Sequence, residues 1–242
     1  MILNLFKSKP TLKEVIPEGF IDIHSHILPG IDDGPKNIDE SLKLISEIKN
    51  LGFKKIYATP HTYHGVHNNT SETILNSYKS LMKKLDLDIS VSYSSEYLLD
   101  NSLIKKAEEK SLLPIKNKYV LVEMSYINKP INLHEIIFQL KLNDYIPILA
   151  HPERYRFLFN NFKDFYLLKK IGCEFQLNLL STTGYYGNDI VKISERLLNE
   201  NLINFVGSDI HNLRHTKHFD ETIKIKKTDK LAEVIANNEF FS

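Results

Sequence analysis

A βα barrel is the fold this sequence predicts, and three observations predict it. Seven short apolar, β-branched runs alternate with stretches of helical periodicity between residues 20 and 212. No Gly/Ser/Pro-rich linker, low-complexity tract or internal repeat interrupts them. Strand and helix in alternation make parallel βα units, and seven such units in 242 residues favour a closed or nearly closed barrel over an open sheet. Six of the seven runs also end in His, Asp or Glu, which is where a βα barrel builds its active site.

The elements follow in order. "MILNLFKSKPTLKEV" has a short apolar start broken by Lys7 and Lys9, so residues 1–18 read as a loose N-terminal leader and 19–242 as a single domain. "FIDIHSH" is the first strand run, followed by a glycine-bounded turn with Asp32 and Asp33. Ile38, Leu42, Ile45 and Ile48 recur at helix spacing, with Asn37 and Glu40 as a capping pair and Gly52 as the stop. "KKIYATPH", "ISVSYSSEYLL", "YVLVEMS", "IPILAHPE", "EFQLNLLST" and "NFVGSDIHN" are the remaining strand runs. Amphipathic stretches at 71–86, 132–143, 162–171 and 188–200 supply further helices.

Composition narrows the function. With 31 basic and 30 acidic residues the net charge is +1, which gives no basic stripe for nucleic acid or an anionic membrane. No segment approaches the length of a membrane span, so an integral membrane protein is not expected. Cys173 stands alone, so no internal disulfide can form, and a cytoplasmic location fits.

The polar strand ends carry the chemistry. His24 and His26 end the first run, His61 the second, Glu96 the third, Glu123 the fourth, His151 the fifth, and Asp209 with His211 the seventh. A lone His or Glu in a strand is more often a satisfied polar residue than a ligand. Their joint placement at successive strand ends points instead to one metal site. Imidazoles and carboxylates without thiolates suit manganese, iron or zinc in a catalytic setting, and more than four ligands imply more than one ion. His64 and His67 fall beyond the second run, in a loop, as solvated or substrate-side residues. Arg154, three residues past His151, is placed to clamp phosphate oxygens with its planar fork; a surface ion pair with Glu153 is the blander reading.

"IDIHSHILPGIDDGP", "ATPH", "VEM", "AHPERY" and "SDIHN" resemble the PHP superfamily, and within it the bacterial metal-dependent tyrosine phosphatases of the CpsB/CapC capsule and exopolysaccharide type. The resemblance runs from about residue 20 to residue 212 in order and spacing, and "HSHILPGIDDGP" and "AHPER" are its most specific parts. It implies a distorted (β/α)7 barrel of the PHP type with three divalent metal ions, manganese first, with iron or zinc also compatible. Carried over by motif, His24, His26 and Asp209 would hold one ion, with Glu96 bridging to a second completed by Glu123 and His151. Asp33, His61 and His211 would hold the third, Asp33 being preferred to Asp32 because the family's ligand directly precedes the glycine.

The implied activity is hydrolysis of phosphotyrosine by a metal-activated hydroxide, on the autophosphorylated tail of a bacterial tyrosine kinase that controls capsule or exopolysaccharide synthesis. The family's second phosphate-clamp arginine has no residue in register: Thr216 occupies that position, and Arg214 or Lys217 would have to substitute. Tyr63, Tyr126 and Tyr155 sit on loops where they could pack against a phosphotyrosine ring or serve as ordinary anchors. The alternatives are a histidinol-phosphate or other small-molecule phosphatase and a non-catalytic PHP-type binding domain. The last should have lost ligands, and all nine positions carry residues able to coordinate. A cysteine-based phosphatase loop is excluded, because the residue six past Cys173 is Leu179 and not arginine.

Overall fold

The computed structural model describes residues 9–242. Among them, the strands are β1 (Phe20–Ser25), β2 (Phe53–Ala58), β3 (His61–Thr62), β4 (Ser90–Tyr93), β5 (Glu96–Leu98), β6 (Tyr119–Glu123), β7 (Ile146–Ala150), β8 (Glu174–Asn178) and β9 (Phe205–Gly207). All pair in parallel, in a three-stranded sheet of order β1-β2-β4 and a six-stranded sheet of order β3-β5-β6-β7-β8-β9. The fold is therefore α/β with parallel sheets.

Seven sequence runs give nine strands because the second and third each break in the middle. Pro60 has no N–H to continue a ladder. The interval from Ala58 to Glu96 is stitched by Ser94 N–H and Glu96 N–H donating to the carbonyls of Ala58 (2.8 Å) and Pro60 (3.0 Å). Pairing thereby passes from the small sheet to the large one at the same place on both runs. The outer strands β1 and β9 approach through their continuations: Ser25 and Ile210 form an isolated parallel bridge, and Asp209 N–H donates to the His24 carbonyl at 2.8 Å. Buried Asp22 accepts from Ser208 N–H at 2.9 Å and from its hydroxyl, which ties the two strands below that bridge.

The helices are α1 (Leu12–Val15), α2 (Ile38–Asn50), α3 (Ser71–Met82), α4 (Asn101–Glu108), α5 (Leu133–Leu142), α6 (Lys163–Lys170), α7 (Asn188–Asn199), α8 (Leu213–Lys217) and α9 (Thr228–Asn237). Asn37 caps α2 by accepting from Glu40 N–H at 3.0 Å, and Gly52 follows its end at φ +92°, a left-handed turn that glycine adopts without a Cβ penalty. The helices pack on the outer faces of the sheets through Leu44, Ile45, Ile136, Phe165 and Leu197. A smaller cluster of Ile23, Leu121, Ile148, Phe205 and Phe241 lies on the other faces, before the polar strand ends.

The leader expected over 1–18 lies partly outside the described residues. Its described part, 9–18, is packed: Leu12 is fully buried on α1, its N–H donates to the Glu221 carbonyl at 3.0 Å, and Thr11 with Glu14 forms a capping box. Burying one leucine and pairing with the 221–223 segment is what orders this short stretch. No helix among the described residues is long and apolar enough to cross a membrane.

Candidate metal centre

His24 lies on β1 and His26 just past it, both fully buried, with their Nε2 atoms 3.2 Å apart. Glu96 Oε2, from the start of β5, is 3.2 Å from the first nitrogen and 3.4 Å from the second. Asp209 Oδ1, past β9, is 3.3 and 3.4 Å from them. Each imidazole is held from behind: His24 Nδ1 meets Gln176 Oε1 at 2.8 Å and His26 Nδ1 meets Asp32 Oδ2 at 2.8 Å. Amide and carboxylate oxygens only accept, so both Nδ1 atoms carry protons and a neutral ring turns its Nε2 lone pair inward. Donor atoms 3.2 to 3.4 Å apart around the two imidazoles have the spacing of neighbouring ligands on one divalent ion.

The other predicted ligands surround this group. His61 Nδ1, on β3, is 2.9 Å from Glu123 Oε1 at the end of β6 and 3.0 Å from Glu96 Oε2. His151 Nε2 is 3.2 Å from Glu96 Oε1. Asp33 Oδ1 is 3.2 Å from His211 Nε2 and 3.6 Å from His61 Nε2. All nine expected residues fall into groups whose donor atoms lie within 4.8 Å of one another: His26, Asp33, His61 and His211; His24, His151 and Asp209; His24, His26 and Glu96; His61, Glu96 and Glu123. The grouping differs in detail from the expected one. Glu123 falls with His61 rather than His151, and His26 joins the group of Asp33.

Charge explains why such a cluster calls for cations. Glu96 Oε2 and His61 Nδ1 are buried without an aligned hydrogen-bond partner, although Glu96 Oε2 has three imidazole nitrogens within 3.4 Å. Burial opposes a charge on His24, but Glu96 and Asp209 raise it above the usual imidazole range. Burial and His26 likewise oppose a charge on His61, yet Glu96 and Glu123 raise it to about 10. Glu96 and Asp209 are both held well below the ordinary carboxylate range, against the cost of burial, by the surrounding histidines. His151 is the exception, kept near 4 by burial and by Arg154. The residues present therefore fit divalent ions held by nitrogen and oxygen.

Local backbone builds these positions. His151 (φ +36°), directly after β7, and Asp209 (φ +52°), two residues past β9, adopt left-handed conformations unusual for non-glycine residues. Gly34 follows the two aspartates at a close approach, where a Cβ would collide with the His26 carbonyl oxygen. Asp32 also accepts from Gly34 N–H at 3.0 Å and His61 N–H at 3.3 Å, so the turn is pinned with Asp33 reaching outward.

Arg154 lines a cavity of about 320 Å³ beside the ligands, together with Tyr126, Tyr186, His151, Asp209 and His215. Its Nη1 donates to Asp209 Oδ2 at 2.7 Å, and its guanidinium lies over the rings of Tyr186 (4.1 Å) and Tyr126 (4.7 Å). It does not pair with Glu153, which is fully buried and accepts from Asn178 N–H (3.1 Å) and the Ser181 hydroxyl (2.6 Å).

Three expected residues lie elsewhere. Arg214 faces a neighbouring groove with Lys36 and Lys43, because Asn212 caps α8 and turns His215, one residue on, toward the Arg154 cavity. Tyr155 is fully buried, and its hydroxyl accepts from Met124 N–H at 2.9 Å; it backs Tyr126 and cannot touch substrate. Tyr63 pairs with His67 in a loop and does not line the cavity. His67 stacks on His61 at 5.4 Å, while His64 is exposed on the same loop. Cys173 is buried, its thiol pushed up to about 12 by burial. Sequence reasoning did not single out Gln176, Asn178 or Tyr186. The signal for the first two was "EFQLN", which puts two amides on one face of a buried strand.

Residues 20–237 match the family model described as "Capsular polysaccharide synthesis, CpsB/CapC". The chain is 33% identical over 203 residues to the tyrosine-protein phosphatase YwqE of Bacillus subtilis strain 168, covering 82% of this chain and 80% of that protein. It is 30% identical over 202 residues to the tyrosine-protein phosphatase CpsB of Streptococcus pneumoniae, covering 80% and 83%. A solved structure from work on YwqE and CpsB, described there as metal-dependent tyrosine phosphatases, superposes with a TM-score of 0.77 at 31% identity over 92% of this chain and 88% of that one.

Proposed function

The chain belongs to the CpsB/CapC family, and from that premise we propose that it is a metal-dependent protein-tyrosine phosphatase. The observation that carries the proposal is the convergence of nine imidazole and carboxylate donors beside a cavity that holds an arginine. We read the two sheets as one distorted (β/α)7 barrel, residues 19–242 as one catalytic domain, and the donor groups as sites for three ions, manganese first. The proposed substrate is the autophosphorylated tail of a bacterial tyrosine kinase in capsule or exopolysaccharide synthesis, met in the cytoplasm.

When bound, such ions supply Lewis acidity toward water and toward phosphoryl oxygens. The chain itself must bind and orient the phosphoester. Arg154 commits one N–H to Asp209, which leaves its other donors for phosphoryl oxygens as charge develops. Tyr126, about half exposed, lines the mouth of the cavity, where an aryl leaving group can pack against its exposed edge. His215 is the cavity imidazole outside the ligand set, and burial with neighbouring His211 lowers it to about 4, so at neutral pH it is an uncharged ring and a poor general acid. A phenolic leaving group, with a pKa of about 10, departs with little general-acid help, whereas an alkyl alcohol does not. The site thus favours phosphotyrosine over the alkyl ester of histidinol phosphate.

Side-by-side turnover by manganese-loaded protein tests this. A phosphotyrosine peptide should be hydrolysed well, and a phosphoserine peptide and histidinol phosphate poorly. Faster turnover of histidinol phosphate would replace the proposal with the small-molecule reading.

A further inference from the structure

The sixth strand run supplies none of the nine donors, yet β8 lies between β7 and β9, whose ends carry His151 and Asp209. Its two inward amides are fully buried. Gln176 Nε2 donates to the Leu177 carbonyl at 2.7 Å, which fixes the amide so that Oε1 faces His24 Nδ1 at 2.8 Å. Gly207, on β9, makes the space: a Cβ there would come within 2.7 Å of both Gln176 Nε2 and the His24 Cβ. Asn178 is set the opposite way. Its Oδ1 accepts from Leu180 N–H at 2.8 Å, and its Nδ2 donates to Asp209 Oδ2 at 2.9 Å.

We propose that β8 is the orienting strand of the metal centre: Gln176, with the room left by Gly207, holds His24 as the Nδ1–H tautomer, and Asn178 holds Asp209 so that Oδ1 faces the donors. This rests on the metal-centre reading above. The two positions have opposite polarity requirements. Toward its ligand, position 176 must accept, so a carboxylate keeps the contact to His24, as Asp32 does behind His26, while giving up the donation to the Leu177 carbonyl. At 178 a donor is needed, and a carboxylate would face Asp209 with like charge. Gln176 and Asn178 are positioning residues, which act through His24 and Asp209.

Zinc titration against a competing chelator, with circular dichroism confirming the fold of each variant, tests the idea without reference to activity. Gln176→Leu and Asn178→Leu should each weaken at least one zinc equivalent by ~10–100-fold, the usual loss for such a supporting group. The two nearly isosteric changes should then diverge: Gln176→Glu, which loses the Leu177 contact but keeps the acceptor toward His24, binds zinc more tightly than Gln176→Leu, whereas Asn178→Asp binds as poorly as Asn178→Leu. Zinc-loaded wild-type protein should show His24 protonated at Nδ1 by nitrogen NMR, a readout that needs no variant. Wild-type affinity in both leucine variants, equal behaviour of Gln176→Glu and Asn178→Asp, or a proton on His24 Nε2 would each overturn the proposal. Failure of wild-type protein to take up zinc would overturn the metal-centre reading with it.

Discussion

Arg154 serves two neighbours at once. Its guanidinium neutralises Asp209 Oδ2 and lies across Tyr126 and Tyr186, so the fork is held at the cavity before any substrate arrives. Arg154→Ala should lower kcat/KM by about 2 to 4 kcal/mol of transition-state stabilisation. Arg154→Lys should recover little, because a point charge replaces neither the fork nor the ring contacts. Near-normal kcat/KM in Arg154→Ala would remove the clamp.

A second residue-scale expectation concerns pH. His61 is raised on folding from its usual 6.5 to about 10, and His24 moves in the same direction. A group raised on folding stabilises the folded chain while protonated, so that contribution is complete below 6.5 and is lost as pH rises through the folded value. Chelator-stripped protein should therefore show a Tm that falls between pH 7 and 10. Metal affinity should rise over the lower part of the same range as protons leave the donors. A flat or rising Tm in the stripped protein would contradict the charge assignment. The nine donors were legible as residue types at strand ends, but their hydrogen-bond partners were not. Nothing in the sequence marks Asp32 as the support behind His26 or Tyr155 as a buried support, because sequence does not tell which side of a loop a side chain faces.

At the scale of elements, periodicity located α2, α3, α5, α6 and α7 and missed α1, α4, α8 and the ten-residue α9. The α2, α3, α5, α6 and α7 stretches were legible because each carries buried apolar residues at helix spacing over eight or more positions. The α4 helix was not, since it buries only Leu103 and Ala107 and depends on Asp100 capping Ser102 and Leu103. The breaks that turn seven runs into nine strands hid inside apolar stretches, where Pro60 and the Ser94–Ser95 pair were the only marks. The turn at 29–35 shows what such local detail does for the site. Gly34→Ala would push against the His26 carbonyl and displace Asp32 from His26 and His61. Metal affinity should then drop while Tm changes little, because the turn lies outside the main apolar core. A large loss of Tm with unchanged metal uptake would contradict this view of the turn.

For the molecule as a whole, the architecture brings to one place what the chain spreads over nearly 190 residues, from His24 to His211. Parallel strands make this possible, since their ends with the same polarity share one side and side chains from six runs can meet there. The alternation of strand and helix showed that much in the sequence. The split into two sheets and the service of β8 as support were beyond it, since they depend on which strand edge meets which. The apolar core is built from the sheet faces and helices and holds Cys173, while the donors lie at the strand ends, so removing ions or the thiol should spare the fold while only the first affects chemistry. The most direct measurement is phosphate release from a phosphotyrosine peptide by chelator-stripped protein, before and after adding manganese, with Cys173→Ser protein alongside. No release before manganese, full release after it, and equal rates for both proteins are the predicted results. Release by the stripped protein, or its loss in Cys173→Ser, would contradict a metal-dependent phosphatase.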